Sequence, residues 1–157
     1  MIHDSLYSSR SEEWPTPPNF FKLLDDEFHF SLDPCATPLN AKCPQFFTKE
    51  DDGLAQDWGT HVVFCNPPYG KDIRRWAQKC HVAALEGATV VLLAHSRTDT
   101  RWFHEWVYHR AAEIRFVRGR LKFGDGKQSA PFPSMVAIFK PPKDITQWTS
   151  QQQLMRN

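Results

Sequence analysis

An α/β fold with a largely parallel sheet is what this sequence predicts, and three observations predict it. Val62 to Cys65 is a β-branched and aromatic run suited to a buried strand, and it stops at Asn66-Pro67-Pro68-Tyr69. Thr89 to Ala94 is a second run, apolar after its first residue, as in strands covered on both faces. Between the two, Ile73, Trp76, Ala77, Cys80, Ala83 and Ala84 recur at helical spacing, with Asp72 before them and Gly87 after. Strand, helix and strand so spaced form a right-handed βαβ unit.

The other elements follow in chain order. Residues 1–13 are polar and expected to be mobile. Trp14-Pro15-Thr16-Pro17-Pro18 opens a helix with Thr16 as its expected N-cap, Pro17 at its first position and Phe20, Phe21, Leu24 and Phe28 on its apolar face. Phe30 to Ala36 reads as a short strand ending at Asp33-Pro34, and Phe46 to Thr48 as another. Trp102, Phe103, Trp106 and Val107 mark a short amphipathic helix, and His95 and His104 read as capping or core hydrogen-bonding residues. Ile114 to Phe123 and Met135 to Phe139 predict a terminal antiparallel pair joined through Gly124-Asp125-Gly126. Strand alternation would put Arg118, Arg120 and Lys122 on one face and Val117, Leu121 and Phe123 on the other. Residues 141–157 form a polar tail, expected to be poorly ordered, which leaves one domain over residues 14–140.

Composition limits the function. A chain of 157 residues has no room for a separate recognition domain. Net charge is +1, yet residues 1–60 carry 4 Lys/Arg against 11 Asp/Glu and residues 61–157 carry 15 against 7, so a basic face toward a polyanion is expected. Cys35, Cys43, Cys65 and Cys80 form no C-x-x-C pair and have no matching His spacing, which argues against zinc or a disulfide frame; no metal is expected. No stretch has the length and apolarity of a membrane span, so no membrane partner and a reducing, cytoplasmic setting are expected.

The loop after Cys65 carries the chemistry. Two prolines cannot continue a strand ladder, and they fix the backbone so that the carbonyls of Asn66 and Pro67 are held. The Asn66 amide oxygen and the Pro67 carbonyl could both accept from one amino group, with the Tyr69 ring lying over its plane. That is a receptor for a flat exocyclic amine such as that of adenine or cytosine, and the acceptors would absorb the positive charge developed during methyl transfer. On these four residues alone, a proline turn closing a strand is an equal reading.

Asn66-Pro67-Pro68-Tyr69 resembles the Asp/Asn/Ser-Pro-Pro-aromatic motif of amino-methyltransferases. The wider layout is Trp14-x-Thr16-Pro17, Leu32-Asp33-Pro34-Cys35-Ala36, Asn40-Ala41-Lys42-Cys43, Asp52-Gly53-Leu54 and Trp58, followed by Ile73-x-x-Trp76, Arg97-Thr98-Asp99-Thr100, Gly119-Arg120-Leu121-Lys122-Phe123 and Ala130-Pro131-Phe132-Pro133-Ser134. It is similar to the small phage-type DNA N6-adenine methyltransferases, the phage Dam family, over about residues 14 to 139. The resemblance implies a compact Rossmann-like S-adenosylmethionine-dependent methyltransferase fold. It implies S-adenosylmethionine held by Trp14, Thr16, Pro17, Asp33, Pro34, Cys35, Ala36, Asn40 and Asp52, with the Asp33 carboxylate toward the cofactor's amino-acid end and Asp52 toward its adenine. The usual Gly-x-Gly turn after the first strand is absent, and the phage family uses Asn-Ala-Lys there.

It further implies direct methyl transfer at Asn66, Pro67, Pro68 and Tyr69 to an adenine flipped from double-stranded DNA, in the host cytoplasm if the gene is viral. Arg97, Arg101, Arg118, Arg120 and Lys122 are the expected phosphate contacts, and Phe132 the second wall of the base pocket. Cytosine N4 transfer, glutamine methylation of a protein, or DNA binding on a decayed fold are the alternative readings.

Overall fold

A computed structural model describes residues 14–124, 127 and 129–143. The expected mobile N-terminus, the tip of the Gly-Asp-Gly loop and most of the tail lie outside these residues. The elements are α1 (Pro18–Phe28), β1 (Leu32–Asp33), β2 (Gln45–Phe46), β3 (Val62–Cys65), α2 (Ile73–Leu85), β4 (Thr89–His95), α3 (Arg101–Phe103) running into a π-helical turn (His104–Tyr108), β5 (Glu113–Phe116) and β6 (Ser134–Phe139).

The sheet has six strands in the order β2-β1-β3-β4-β6-β5. β2, β1, β3 and β4 pair in parallel, while β6 lies antiparallel between β4 and β5. This is the mostly parallel sheet with an antiparallel end that the sequence predicts. β4 is central and buried from Val90 to Ala94, which is why its sequence is a continuous apolar run. α2 buries Ile73, Trp76, Ala77, Cys80, His81, Ala83, Ala84 and Leu85.

The chain passes from β1 outward to β2 and then returns to the other side of β1 as β3, so a switch point lies between β1 and β3. Ligand crevices of open α/β sheets form outside the carboxyl ends of strands at such a point. Asp33 ends β1 and Asn66 follows β3, so both meet there.

Two local expectations need correction. Thr16 does not cap α1: the N-cap is Pro17, with no side-chain hydrogen bond, and the first helical residue is Pro18. β5 ends at Phe116, with one further ladder bond from Val117 N–H to the Ser134 carbonyl at 3.0 Å. Gly119, at φ +74°, then turns the chain out of extended conformation. Arg118, Arg120 and Lys122 therefore lie on a loop, exposed, while Phe123 is buried. Burial alternates as predicted although the ladder does not continue.

Candidate active site

Asn66 is pinned. Its Nδ2 donates to the Trp14 carbonyl at 2.7 Å and to the Thr16 hydroxyl at 2.8 Å, and its Oδ1 accepts from the Tyr69 hydroxyl at 3.1 Å. The Trp14 carbonyl has no proton to give, so the atom facing it must be the amide nitrogen. Oδ1 is thereby fixed as an acceptor with one lone-pair direction left over. An aspartate here would set a carboxylate oxygen against a carbonyl, which explains the choice of Asn. The fully buried Thr16 thus orients the amide instead of capping a helix.

Asp33 is 4% exposed, with Oδ1 accepting from Cys35 N–H at 3.1 Å and Oδ2 from Lys42 N–H at 3.2 Å. Its first task is to fold the 34–42 loop back onto its own strand. Burial pushes the carboxyl above its ordinary value, while the two N–H groups oppose the shift. Thr37 N–H donates to Asn40 Oδ1 at 2.7 Å, and Asn40 N–H donates to Thr37 Oγ1 at 3.2 Å. This side-chain-closed turn is how the loop dispenses with Gly-x-Gly.

The close approach that a glycine would permit occurs in the neighbouring loop. A Cβ on Gly53 would stand 2.2 Å from the Pro34 carbonyl oxygen and 3.2 Å from the Trp76 ring. Trp58 Nε1 donates to the Gly53 carbonyl at 2.9 Å, holding that loop from behind. Asp52, at φ +55°, accepts from Leu54 N–H at 3.2 Å, and Asp51 accepts from Thr48 N–H at 2.8 Å, so both acids shape the turn. Cys35 Sγ lies 3.9 Å from Cys65 Sγ, which brings the ends of β1 and β3 together.

These loops enclose a cavity of about 370 Å³, within the range of small-molecule sites. Of the expected cofactor residues, Trp14, Thr16, Asp33, Pro34, Cys35, Ala36, Asn40 and Asp52 line it, as do Asn66, Pro67 and Pro68. Pro17 does not border it. Leu54, Arg75, Trp76, Lys49 and Gly53 also line it and were not among the expected cofactor residues, although Gly53, Leu54 and Trp76 belong to the motifs that carry the resemblance.

Tyr69 differs from expectation. It is 6% exposed, and its hydroxyl, besides capping Asn66, reaches the Leu93 carbonyl at 3.1 Å. Its ring lies on His95 instead of over an open amine site. Phe132 is buried beside it. Among the described residues, His95 Nδ1 is buried with no hydrogen-bond partner, unlike the capping or core hydrogen-bonding role expected, whereas His104 Nε2 is 2.8 Å from the Thr98 carbonyl.

β5 runs in the same direction as β4, so the 117–124 loop leaves the carboxyl edge that carries Asn66. It closes on the N-terminal segment through Gly124 N–H to the Pro15 carbonyl at 3.1 Å and a Trp14–Phe123 contact of 5.7 Å. Arg97 and Arg101, both exposed, follow β4 on the same edge. Arg101 is 4.0 Å from Glu105, an exposed pair of little energetic weight.

The crevice at this switch point has a strand-end carboxylate on one side and a fixed amide acceptor on the other, on a sheet compatible with the Rossmann-like methyltransferase fold that the sequence resemblance implies. A model of the family described as DNA N-6-adenine-methyltransferase (Dam) matches residues 4–157. A DNA N-6-adenine-methyltransferase of Haemophilus phage HP1 (strain HP1c1) is 27% identical over 148 residues, covering 90% of this chain and 86% of its own. Putative methyltransferase YfdM of Escherichia coli (strain K12) is 38% identical over 65 residues, covering 37% of this chain and 71% of its own. The chain belongs to the DNA N-6-adenine-methyltransferase (Dam) family. It is an adenine-specific DNA methyltransferase, and such a family implies S-adenosylmethionine as methyl donor and DNA as substrate.

Proposed function

We propose that the cavity between the β1 and β3 loops holds S-adenosylmethionine, and that the enzyme methylates N6 of an adenine flipped out of double-stranded DNA. The pinned Asn66 amide, on the wall of that cavity, carries the reading. The lining fits the cofactor. Asp33 keeps lone pairs for an ammonium group, Lys49 and Arg75 offer charge to a carboxylate, and Leu54, Phe64 and Trp76 supply apolar surface. Trp14, Thr16, Pro34, Cys35, Ala36, Asn40 and Asp52 complete that wall.

When bound, the cofactor supplies a methyl group activated on a sulfonium sulfur. The chain's part is to hold the amine. Asn66 Oδ1 and the Pro67 carbonyl accept the two N6 hydrogens, which draws the nitrogen lone pair out of the ring and stabilises the positive charge that builds up on nitrogen. N6 gains the methyl group and one proton leaves to water, so no general base is required. A base inside a duplex cannot reach the cavity, so it must be extruded at a cost of a few kcal/mol. Arg97, Arg101, Arg118, Arg120 and Lys122 repay part of that cost through phosphate contacts along the carboxyl edge.

Nucleoside analysis of plasmid DNA from cells expressing the chain tests this directly. N6-methyladenine should appear with the wild type and be absent with Asn66→Ala. N4-methylcytosine, or no methylated base, would contradict the proposal.

A further inference from the structure

Next to the open cavity stands a closed aromatic cluster. The rings of Tyr69 and His95 are nearly parallel, 4.8 Å apart at 17°, and Trp102 stacks on His95 at 5.6 Å and 16°. Phe132 meets the first two edge-on, 5.5 Å from Tyr69 at 68° and 5.7 Å from His95 at 79°. Two parallel rings with a third across their end have the shape of a flat slot closed on itself. Tyr69 follows β3 and His95 ends the adjacent strand β4, so the slot lies beside Asn66 on the same edge.

Among the described residues, five buried side-chain polar atoms have no hydrogen-bond partner, and three of them belong to His95 and its immediate neighbours in the sheet: His95 Nδ1, Ser96 Oγ and Ser134 Oγ. Ser134 is the cross-strand partner of His95, and Ser96 N–H donates to the Pro133 carbonyl at 2.9 Å. Buried polar groups are almost always paired, so these three atoms have hydrogen-bonding capacity to offer a ligand or a water. A purine presents ring nitrogens of the kind these groups can meet.

We propose that the Tyr69–His95 stack is the collapsed target-base slot, that the flipped adenine inserts between the two rings, and that His95 is its second wall. Phe132 is then the end wall of the slot, in place of the second wall expected from sequence. Insertion moves the Tyr69 ring away by the thickness of a base, about 3.4 Å. The single hydroxyl proton of Tyr69 is shared between Leu93 O and Asn66 Oδ1, both at 3.1 Å, and that movement releases it. Opening the slot and freeing the acceptor for the N6 amine are therefore one motion. Burial and the nearby Arg97 push the His95 imidazole down to about 4, so it stacks as a neutral ring near pH 7.

The inference rests on the adenine-methyltransferase reading above, and one experiment separates their failures. Rates of tritiated methyl transfer from S-adenosylmethionine to plasmid DNA from a host lacking adenine methylation are measured for wild type, His95→Ala and His95→Phe, varying the DNA. Cofactor affinity is measured for each by calorimetry. His95→Ala should lose about 5- to 150-fold in kcat/KM for DNA, the worth of one base–aromatic stack. His95→Phe should recover most of it, with cofactor affinity unchanged in both, because His95 does not border the cofactor cavity. Wild-type rates in His95→Ala, a His95→Phe as poor as His95→Ala, or a parallel loss of cofactor affinity would each overturn the proposal. A wild type that transfers nothing to DNA would instead sink the functional reading.

Discussion

The two halves of the cleft are built in opposite ways. On the β1 side the loops are braced by side-chain oxygens that accept from nearby backbone N–H groups: Asp33 ties Cys35 and Lys42, Thr37 and Asn40 close a turn on each other, and Gly53 sits against Pro34. That bracing leaves an open cavity of about 370 Å³. On the β4 side the space is filled by side chains, Tyr69 on His95 with Phe132 across them. Under the proposed reading, a small free cofactor enters the preformed site, whereas a base has to be extruded from a duplex before it displaces the aromatics that fill its slot. Asn66 stands between the halves and takes its orientation from the open side.

Substitutions along this divide test it in descending order of effect. Asn66→Ala removes the proposed acceptor, so kcat should fall by about 10²-fold or more, with a lower melting temperature from the three hydrogen bonds lost but the fold retained. Near wild-type turnover in the folded variant would break the account at its centre.

Gly53→Ala strikes the braced side alone. Its Cβ meets a backbone carbonyl that cannot yield, and such overpacking costs about 1–3 kcal/mol. Calorimetry should show cofactor affinity reduced by about tenfold, accompanied by a lower melting temperature. Unaltered values for both would mean the 48–54 loop does not shape the cavity.

Thr16→Val keeps the shape but removes one of the two acceptors on Asn66 Nδ2. Loss of a hydrogen bond worth about 1 kcal/mol predicts a kcat about fivefold lower, with the Trp14 carbonyl still holding the amide. A fall in cofactor affinity with unchanged kcat would show that Thr16 serves the cofactor wall alone and does not orient Asn66.

Arg120→Ala should have the smallest effect. Removal of one phosphate contact flattens the slope of log affinity against log salt by about 0.9 on duplex DNA, equally for all sequences. A change in which site is methylated would show Arg120 reading bases.

The central strands and α2 were legible because their signals are long: uninterrupted apolar runs for β3 and β4, and a sustained helical period from Ile73 to Ala84. The expected strand overruns β5 because Val117, Leu121 and Phe123 keep an alternating burial after the ladder has ended, the chain from Gly119 onward packing toward Trp14 instead. The π-helical turn at His104–Tyr108 leaves no mark in a pattern of Trp and Val that fits an ordinary helix equally well. Within the site, Asn66 and Asp33 were visible as polar residues stopping strands. Thr16 and Gly53 stood out in motifs, but the contacts they make did not, since each acts on a partner remote in sequence, Thr16 on Asn66 and Gly53 on Pro34. His95 gave a faint signal, an aromatic and polar residue ending an apolar strand beside Ser96.

Titration of S-adenosylmethionine into the protein in the absence of DNA, followed by calorimetry, tests the contrast between the halves most directly. A braced, open site predicts saturable one-to-one binding with no DNA present. Binding that appears only after DNA is added would contradict it, because the cofactor side would then also be made by the substrate.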